Sequence, residues 1–84
     1  MTNFEAIVLA ALVRASADES DHCASAWQVA QTTDPWSSPT AVGGALARML
    51  RSGLVEVGAP SPNGSRRYWP TAKGRAALGD AETG

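Results

Sequence analysis

The segment 38–55 constrains the fold more than any other, because both ends of a helix are marked within it. Ser38 can cap the first free amides, and Pro39 suits the first helical position, where its missing N–H costs nothing. Gly53 stands where helices commonly end in a left-handed residue, and the apolar residues after it begin an extended segment. The pattern predicts a helix over 39–52 followed directly by a strand.

The two faces of this predicted helix differ in composition. The face expected to anchor it, at spacings of four, three and four, consists of Val42, Leu46, Met49 and Gly53. The opposite face carries small residues and ends in arginine, with Arg48 beside it: Thr40, Gly44, Ala47 and Arg51. A smooth face with a basic end suits a flat or grooved surface of negative charge.

Gly43 and Gly44 lie inside the same helix, where each glycine costs about 1 kcal/mol relative to alanine. We expect another interaction to offset that cost. One interpretation is close packing of the preceding helix, with Trp27 near the bare backbone. The other is close approach of this helix to a partner.

The net charge of −1 argues against nucleic acid, but the distribution of charge argues for it. Residues 1–34 carry Arg14 and five acidic residues. Residues 48–75 carry six cations and a single acid, Glu56. The positive field is therefore expected on the C-terminal half, and this asymmetry bears on partners more than the sum does.

Length and composition exclude several classes of protein. The 84 residues predict one domain over 1–79 and a flexible tail over 80–84. There is no apolar run of membrane-spanning length and no secretory pattern at the start, and the lone Cys23 indicates a reducing, cytoplasmic setting. With one histidine, His22, and no phosphate loop or His/Asp/Glu cluster, we expect no enzyme, no metal and no cofactor.

The remaining elements follow from caps, spacing and turn residues. We predict helix 1 from a capping box at Thr2 to about residue 16, and helix 2 from a second capping box at Ser25 to about Thr32. A turn over 33–37 follows, in which Trp36 covers the core. After the helix over 39–52 we predict a strand over 54–57, a loop over 58–65, a returning strand over 66–69 and a last helix from Thr71 to about Leu78. The core-facing residues expected in helices 1 and 2 are Phe4, Ile7, Val8, Ala11, Leu12, Ala15, Ala26, Val29 and Ala30. Leu9 and Val13 add a second apolar stripe to helix 1, which either contacts the last helix or forms a dimer interface.

Three segments resemble the winged helix-turn-helix regulators of the MarR and PadR type. Segment 45–55 is similar to the end of their recognition helix, which closes in Gly-Leu-Val, and segment 68–78 is similar to the Thr-x-x-Gly region after their wing. Segment 25–30 resembles the opening of their second helix. The resemblance implies an α+β, mostly α, fold: a three-helix core, a two-stranded β-hairpin wing and a short C-terminal helix.

The sequence departs from this pattern at functionally relevant places. Pro70 replaces a usual leucine, so we expect the last strand to end early. Leu50 replaces a usual polar residue, which indicates extra burial or a contact. Small residues at 43, 44 and 47 replace the long polar side chains that read base edges, so phosphate contacts are expected to supply much of the affinity.

These observations predict a DNA-binding protein, a small cytoplasmic, nucleoid-associated transcriptional regulator. Helix 39–52 would enter the major groove of double-stranded DNA, and the wing 58–66 would meet the minor groove or backbone. The expected DNA-contacting residues are Ser37, Ser38, Thr40, Gly44, Arg48, Arg51, Asn63, Arg66, Arg67, Lys73 and Arg75. The resemblance also implies a possible homodimer through helix 1 and the C-terminal helix.

Two other interpretations stay open from the sequence. The chain could be a winged-helix module that binds protein, through exposed Leu9, Val13, Leu50 and Trp36. It could also be a recombination accessory protein of the phage excision type. The arginines themselves could form ordinary surface ion pairs, Arg48 with Glu56 and Arg14 with the acidic loop.

Overall fold

The computed structural model describes residues 2–17, 23–33, 37–58, 64 and 66–83, with the backbone alone over 80–83. The elements are α1 (Asn3–Ala17), β1 (Ala24–Ser25), α2 (Ala26–Thr32), α3 (Pro39–Arg51), β2 (Val55–Val57), β3 (Arg67–Pro70) and α4 (Ala72–Thr83). The strands form one antiparallel sheet in the order β1-β3-β2. The predicted winged-helix α+β fold is confirmed.

The helix boundaries follow from the caps that the sequence marks. Ser38 accepts a hydrogen bond from the Ala41 amide at 3.1 Å, and Ser25 forms a reciprocal capping box with Gln28. Gly53 has a φ of 78°, the left-handed conformation expected after α3. These features place α2 and α3 as the two helices of a helix-turn-helix, ahead of the hairpin β2–β3.

The sheet has three strands, whereas the sequence predicted two. β1 pairs with the start of β3, Ala24 opposite Tyr68 and Ser25 opposite Arg67. Ala24 and Ser25 are too few to show the alternation typical of a strand. Because the capping box of α2 begins at Ser25, the sequence there indicates only the start of a helix. The strand ties the beginning of α2 to the base of the wing.

Pro70 does not end β3 early, contrary to the prediction. It lies opposite Val55 in the ladder. Hydrogen bonds from the Thr71 amide to the Leu54 carbonyl and from the Gly58 amide to the Arg67 carbonyl make that pair a non-hydrogen-bonded one. The missing N–H therefore faces away from β2, and no ladder bond to β2 is lost.

The last helix is longer than predicted. α4 continues through Gly79 to Thr83, whereas we expected it to end near Leu78. A glycine weakens a helix by about 1 kcal/mol but ends it only where the left-handed conformation is adopted, and Gly79 does not adopt it. The predicted tail 80–84 therefore begins inside a helix, and its flexibility stays a prediction.

The core lies between α1, α2, α3 and the inner face of the sheet. Its fully buried side chains include Val8, Leu9, Leu12, Val29, Val42, Leu46, Met49 and Val55. Because Leu9 is fully buried and Val13 packs against this cluster, the second stripe of helix 1 contacts the rest of the same chain. Ile7 was predicted in the core but is 38% exposed, because the buried arc of α1 is centred one residue further along.

The start of α4 is fastened to the end of α3. The Thr71 hydroxyl accepts from the Gly74 amide at 3.0 Å and lies 2.7 Å from the Gly53 carbonyl and 3.0 Å from the Leu54 carbonyl, to which it donates. A Cβ at Gly74 would collide with the Leu54 carbonyl oxygen, so this close approach requires glycine. No helix in the described ranges has the length and apolar character needed to cross a membrane.

Candidate nucleic-acid interface

The two predicted faces of α3 are present in the structure. Val42, Leu46 and Met49 are fully buried, as is Ala45, which the spacing argument had left out. The exposed residues of the helix are Thr40, Ala41, Gly44, Arg48 and Arg51. Gly53 is exposed and does not belong to the anchoring face. The helix therefore presents a smooth surface that ends in two arginines.

The two glycines of α3 have open space beside them. A Cβ at Gly43 would meet no described atom within 4 Å, and a Cβ at Gly44 would meet only the Arg48 Nη1, at 3.7 Å. Trp27 is 58% exposed. The predicted close packing of helix 2 and Trp27 against the bare backbone is therefore wrong. No packing among the described residues offsets the helix cost of these glycines.

Arg48 is paired, but with a different acid from the one expected. Its Nε lies 3.6 Å from Oε1 of Glu5, at the start of α1, and the two side chains are 52% and 14% exposed. Glu5 also accepts from the Thr2 hydroxyl, and its amide donates to Thr2 Oγ1. The expected partner Glu56 is on an exposed strand position opposite Trp69, whereas α1 packs directly against α3.

The other cations of the second half lie at the end of α3, on α4 and at the wing. Lys73 donates from Nζ to the Ser52 carbonyl at 2.9 Å, where a cation is also favoured by the helix dipole. Arg51 and Arg75 are exposed. The Gly58 amide donates to the Arg67 carbonyl at 2.8 Å, which holds half-buried Arg67 at the base of the wing.

The structure also describes the remaining residues that the sequence analysis singled out, with two exceptions. Ser37 is half-buried and donates its amide to Thr33 Oγ1 at 3.0 Å, while Ser38 is exposed and caps α3. Asn63 and Trp36 lie outside the described residues. Arg14 donates to the Thr32 carbonyl at 3.2 Å, and the acidic loop proposed as its partner also lies outside the described residues.

A shallow cleft joins the wing to the start of α3. It has a volume of about 340 Å³ and is lined by Ser25, Ala26, Trp27, Pro39, Arg66 and Tyr68. The sequence pattern places Arg66 at the wing but predicts no surface role for Trp27. A signal was present, since Ala26, Val29 and Ala30 were assigned to the inner face of helix 2, and residue 27 is off that face.

The described residues contain no group of three or more His, Cys, Asp or Glu side chains that could hold a metal ion. Cys23 is free and buried. The site consists of an exposed helix with Arg48 and Arg51 in its last turn and Lys73 beside its end, next to a hairpin whose Arg66 shares a cleft with Pro39 at the helix start and which also carries Arg67. This geometry can bind an extended anionic surface.

The helix-turn-helix followed by a hairpin defines a winged-helix domain. A solved structure of Bordetella bronchiseptica BpsR, from work on how 6-hydroxynicotinic acid regulates the DNA binding of that protein, is similar to it with a TM-score of 0.73. The two share 23% identity, and the match covers 95% of this chain and 52% of that one, so this chain spans about half the length of its neighbour. No protein-family model and no curated protein matches the sequence.

Proposed function

We propose that the chain binds double-stranded DNA and acts as a small transcriptional regulator. One observation carries the proposal: α3 is exposed along one face and has cations near both ends. Arg66 lines the cleft at Pro39, while Arg51 and Lys73 lie at the other end. Thirteen residues span about 20 Å at 1.5 Å per residue, enough to cross a major groove about 12 Å wide and reach the phosphates on both sides.

In the proposed complex, phosphates supply most of the affinity. Thr40 is the one exposed polar side chain in the first half of α3, where recognition helices contact base edges. The small surface at Gly44 lets the helix backbone come close to the groove floor. The wider contact set stays as predicted from the sequence: Ser37, Ser38, Thr40, Gly44, Arg48, Arg51, Asn63, Arg66, Arg67, Lys73 and Arg75.

The test is the affinity for a mixed-sequence duplex of about 20 base pairs, measured by fluorescence anisotropy over a range of NaCl concentrations. Contacts with about five phosphates give a log–log slope near −4 to −5. Arg51→Gln should weaken binding and flatten the slope by about one. Arg14→Gln removes the same charge from α1, where the side chain donates to the Thr32 carbonyl, and should change neither. Absence of binding at low salt, or equal losses in the two variants, would contradict the proposal.

A second candidate, a module that binds protein, keeps some support. Leu9 is fully buried, and Val13 and Leu50 are half-buried against the core, so three of its four expected contact residues are lost. Val57 and Trp69, at 43% and 38% exposed, are the apolar side chains of the sheet that favour it. A homodimer interface through α1 likewise could not use Leu9, which is buried. Ile7 is the large apolar residue that α1 exposes for such an interface. A role in recombination rather than transcription would use the same DNA-binding surface.

A further inference from the structure

Trp27 is the most exposed large apolar side chain of the described residues. It is 58% exposed, whereas Val29 and Ala30 of the same short helix are fully buried. A tryptophan in this position does not contribute to the core. Its surroundings therefore decide what it can do.

The cleft beside Trp27 has an apolar wall and one cation. The cleft is lined by Trp27, by Pro39, the first residue of α3, and by Arg66, the residue directly before β3. Arg66 is exposed and, among the described residues, has no hydrogen-bond or ion-pair partner. The polar groups of Ser25 are used in the capping box with Gln28, at 2.8 and 3.2 Å. None of the described residues that line the cleft is acidic.

We propose that this cleft binds one deoxyribose–phosphate unit of the DNA backbone, at the edge of the groove that α3 enters. The inference rests on the proposed function. The indole of Trp27 packs against the sugar and its Nε1–H can donate to a phosphate oxygen, while the Arg66 guanidinium pairs with the same phosphate. In a helix-turn-helix bound to DNA, the first helix crosses the DNA backbone. Here that helix is α2, which carries Trp27.

Charge and size favour this occupant over a protein. The described lining residues carry one positive charge, on Arg66, and no negative one, which complements a phosphate. A stable protein interface needs about 800 Å² from each partner, far more than one indole and its immediate neighbours expose. The cleft is also continuous with α3, since Pro39 belongs to both.

The first experiment measures duplex affinity against NaCl concentration for wild type and variants whose folding is verified by circular dichroism. Trp27→Ala should weaken binding roughly tenfold with little change in salt slope, because it removes an apolar contact. Arg66→Gln should weaken binding and flatten the slope by about one. Trp27→Phe should recover part of the loss. The matched control is Trp69→Phe, on the opposite face of β3 from Tyr68 and Arg66.

The second experiment observes Trp27 directly. The chain has three tryptophans, so the variant with Trp36→Phe and Trp69→Phe keeps Trp27 as the sole tryptophan, which can be excited selectively over Tyr68. The mixed-sequence duplex should change its emission, and added NaCl should reverse the change. An unchanged emission during demonstrated DNA binding would overturn the inference and leave the proposed function intact.

Three other results are decisive. Wild-type affinity in Trp27→Ala overturns the inference alone. Failure of the wild type to bind duplex overturns the proposed function together with it. A wild-type oligomer in sedimentation without DNA, dissociated by Trp27→Ala, identifies a second copy as the occupant and overturns the backbone assignment.

Discussion

Gly44 destabilises α3, and no packing among the described residues compensates for this. Substitutions at Gly44 therefore test whether the glycine serves function rather than stability. Gly43→Ala and Gly44→Ala should each raise the free energy of unfolding by about 0.5–1 kcal/mol, because the added methyl groups enter open space or ordinary contact. Urea denaturation measures this. Only Gly44→Ala should also weaken duplex binding, because Gly44 is exposed on the proposed DNA face and Gly43 is half-buried. Destabilisation by both variants would contradict the argument.

Gly74 should behave in the opposite way. A methyl group there collides with the Leu54 carbonyl oxygen, a backbone atom that cannot move cheaply, so Gly74→Ala should lower the free energy of unfolding by about 1–3 kcal/mol or more. Gly79→Ala, in the same helix with no described atom within 4 Å of its added Cβ, is the matched control and should stabilise by up to about 1 kcal/mol. Similar thermal midpoints for the two variants would refute this assignment.

Single residues also show what the sequence could and could not predict about the site. The positions of Ser38 and Gly53 are readable because helix caps depend on local chemistry, and both were correct. The partner of Arg48 was wrong, because an ion pair depends on how α1 packs against α3 rather than on sequence distance. Trp27 was underestimated because an aromatic residue near apolar neighbours is usually buried.

At the level of elements, the joint between α3 and α4 depends on one hydroxyl. Thr71→Ala removes the cap of α4 and the bonds to the Gly53 and Leu54 carbonyls, so it should lower the free energy of unfolding by about 1–2 kcal/mol. Thr40→Ala removes an exposed hydroxyl from α3 and should leave stability within about 0.5 kcal/mol. Chemical denaturation of the two variants separates the effects, and equal losses would show that the hydroxyl of Thr71 has no special part.

An element could be predicted from the sequence where the interactions that form it are local. The four helices were predicted with nearly correct starts, because caps and spacing lie within a few residues of each other. β1 was missed because a two-residue strand exists only through its pairing with Tyr68 and Arg67. Pro70 was misjudged because the cost of a missing N–H depends on which side of the ladder it faces.

For the whole molecule, the separation of charge between the two halves has one exception that matters. Glu5, from the acidic half, lies against Arg48 of α3. Glu5→Gln should free that guanidinium and raise duplex affinity several-fold, with a salt slope steeper by up to one. The free energy of unfolding should fall by no more than about 1 kcal/mol, because the Arg48 side chain is half exposed and the pair is screened.

Glu56→Gln is the matched control for that experiment, because it makes the same change in net charge on an exposed strand residue. Anisotropy titrations of the two variants in parallel distinguish a local effect from a global one. Equal gains would mean that net charge alone governs affinity, and no gain in Glu5→Gln would mean that Arg48 does not reach DNA.

The hydrogen bonds from Thr71 and Lys73 to the carbonyls of residues 52–54 couple the start of α4 to the segment that ends α3. A tilt of α4 cannot be absorbed at a loose hinge, since Gly74 already touches the backbone at Leu54. We therefore expect a partner that tilts α4 to rotate the end of α3 with it, and so to reorient the exposed face of that helix.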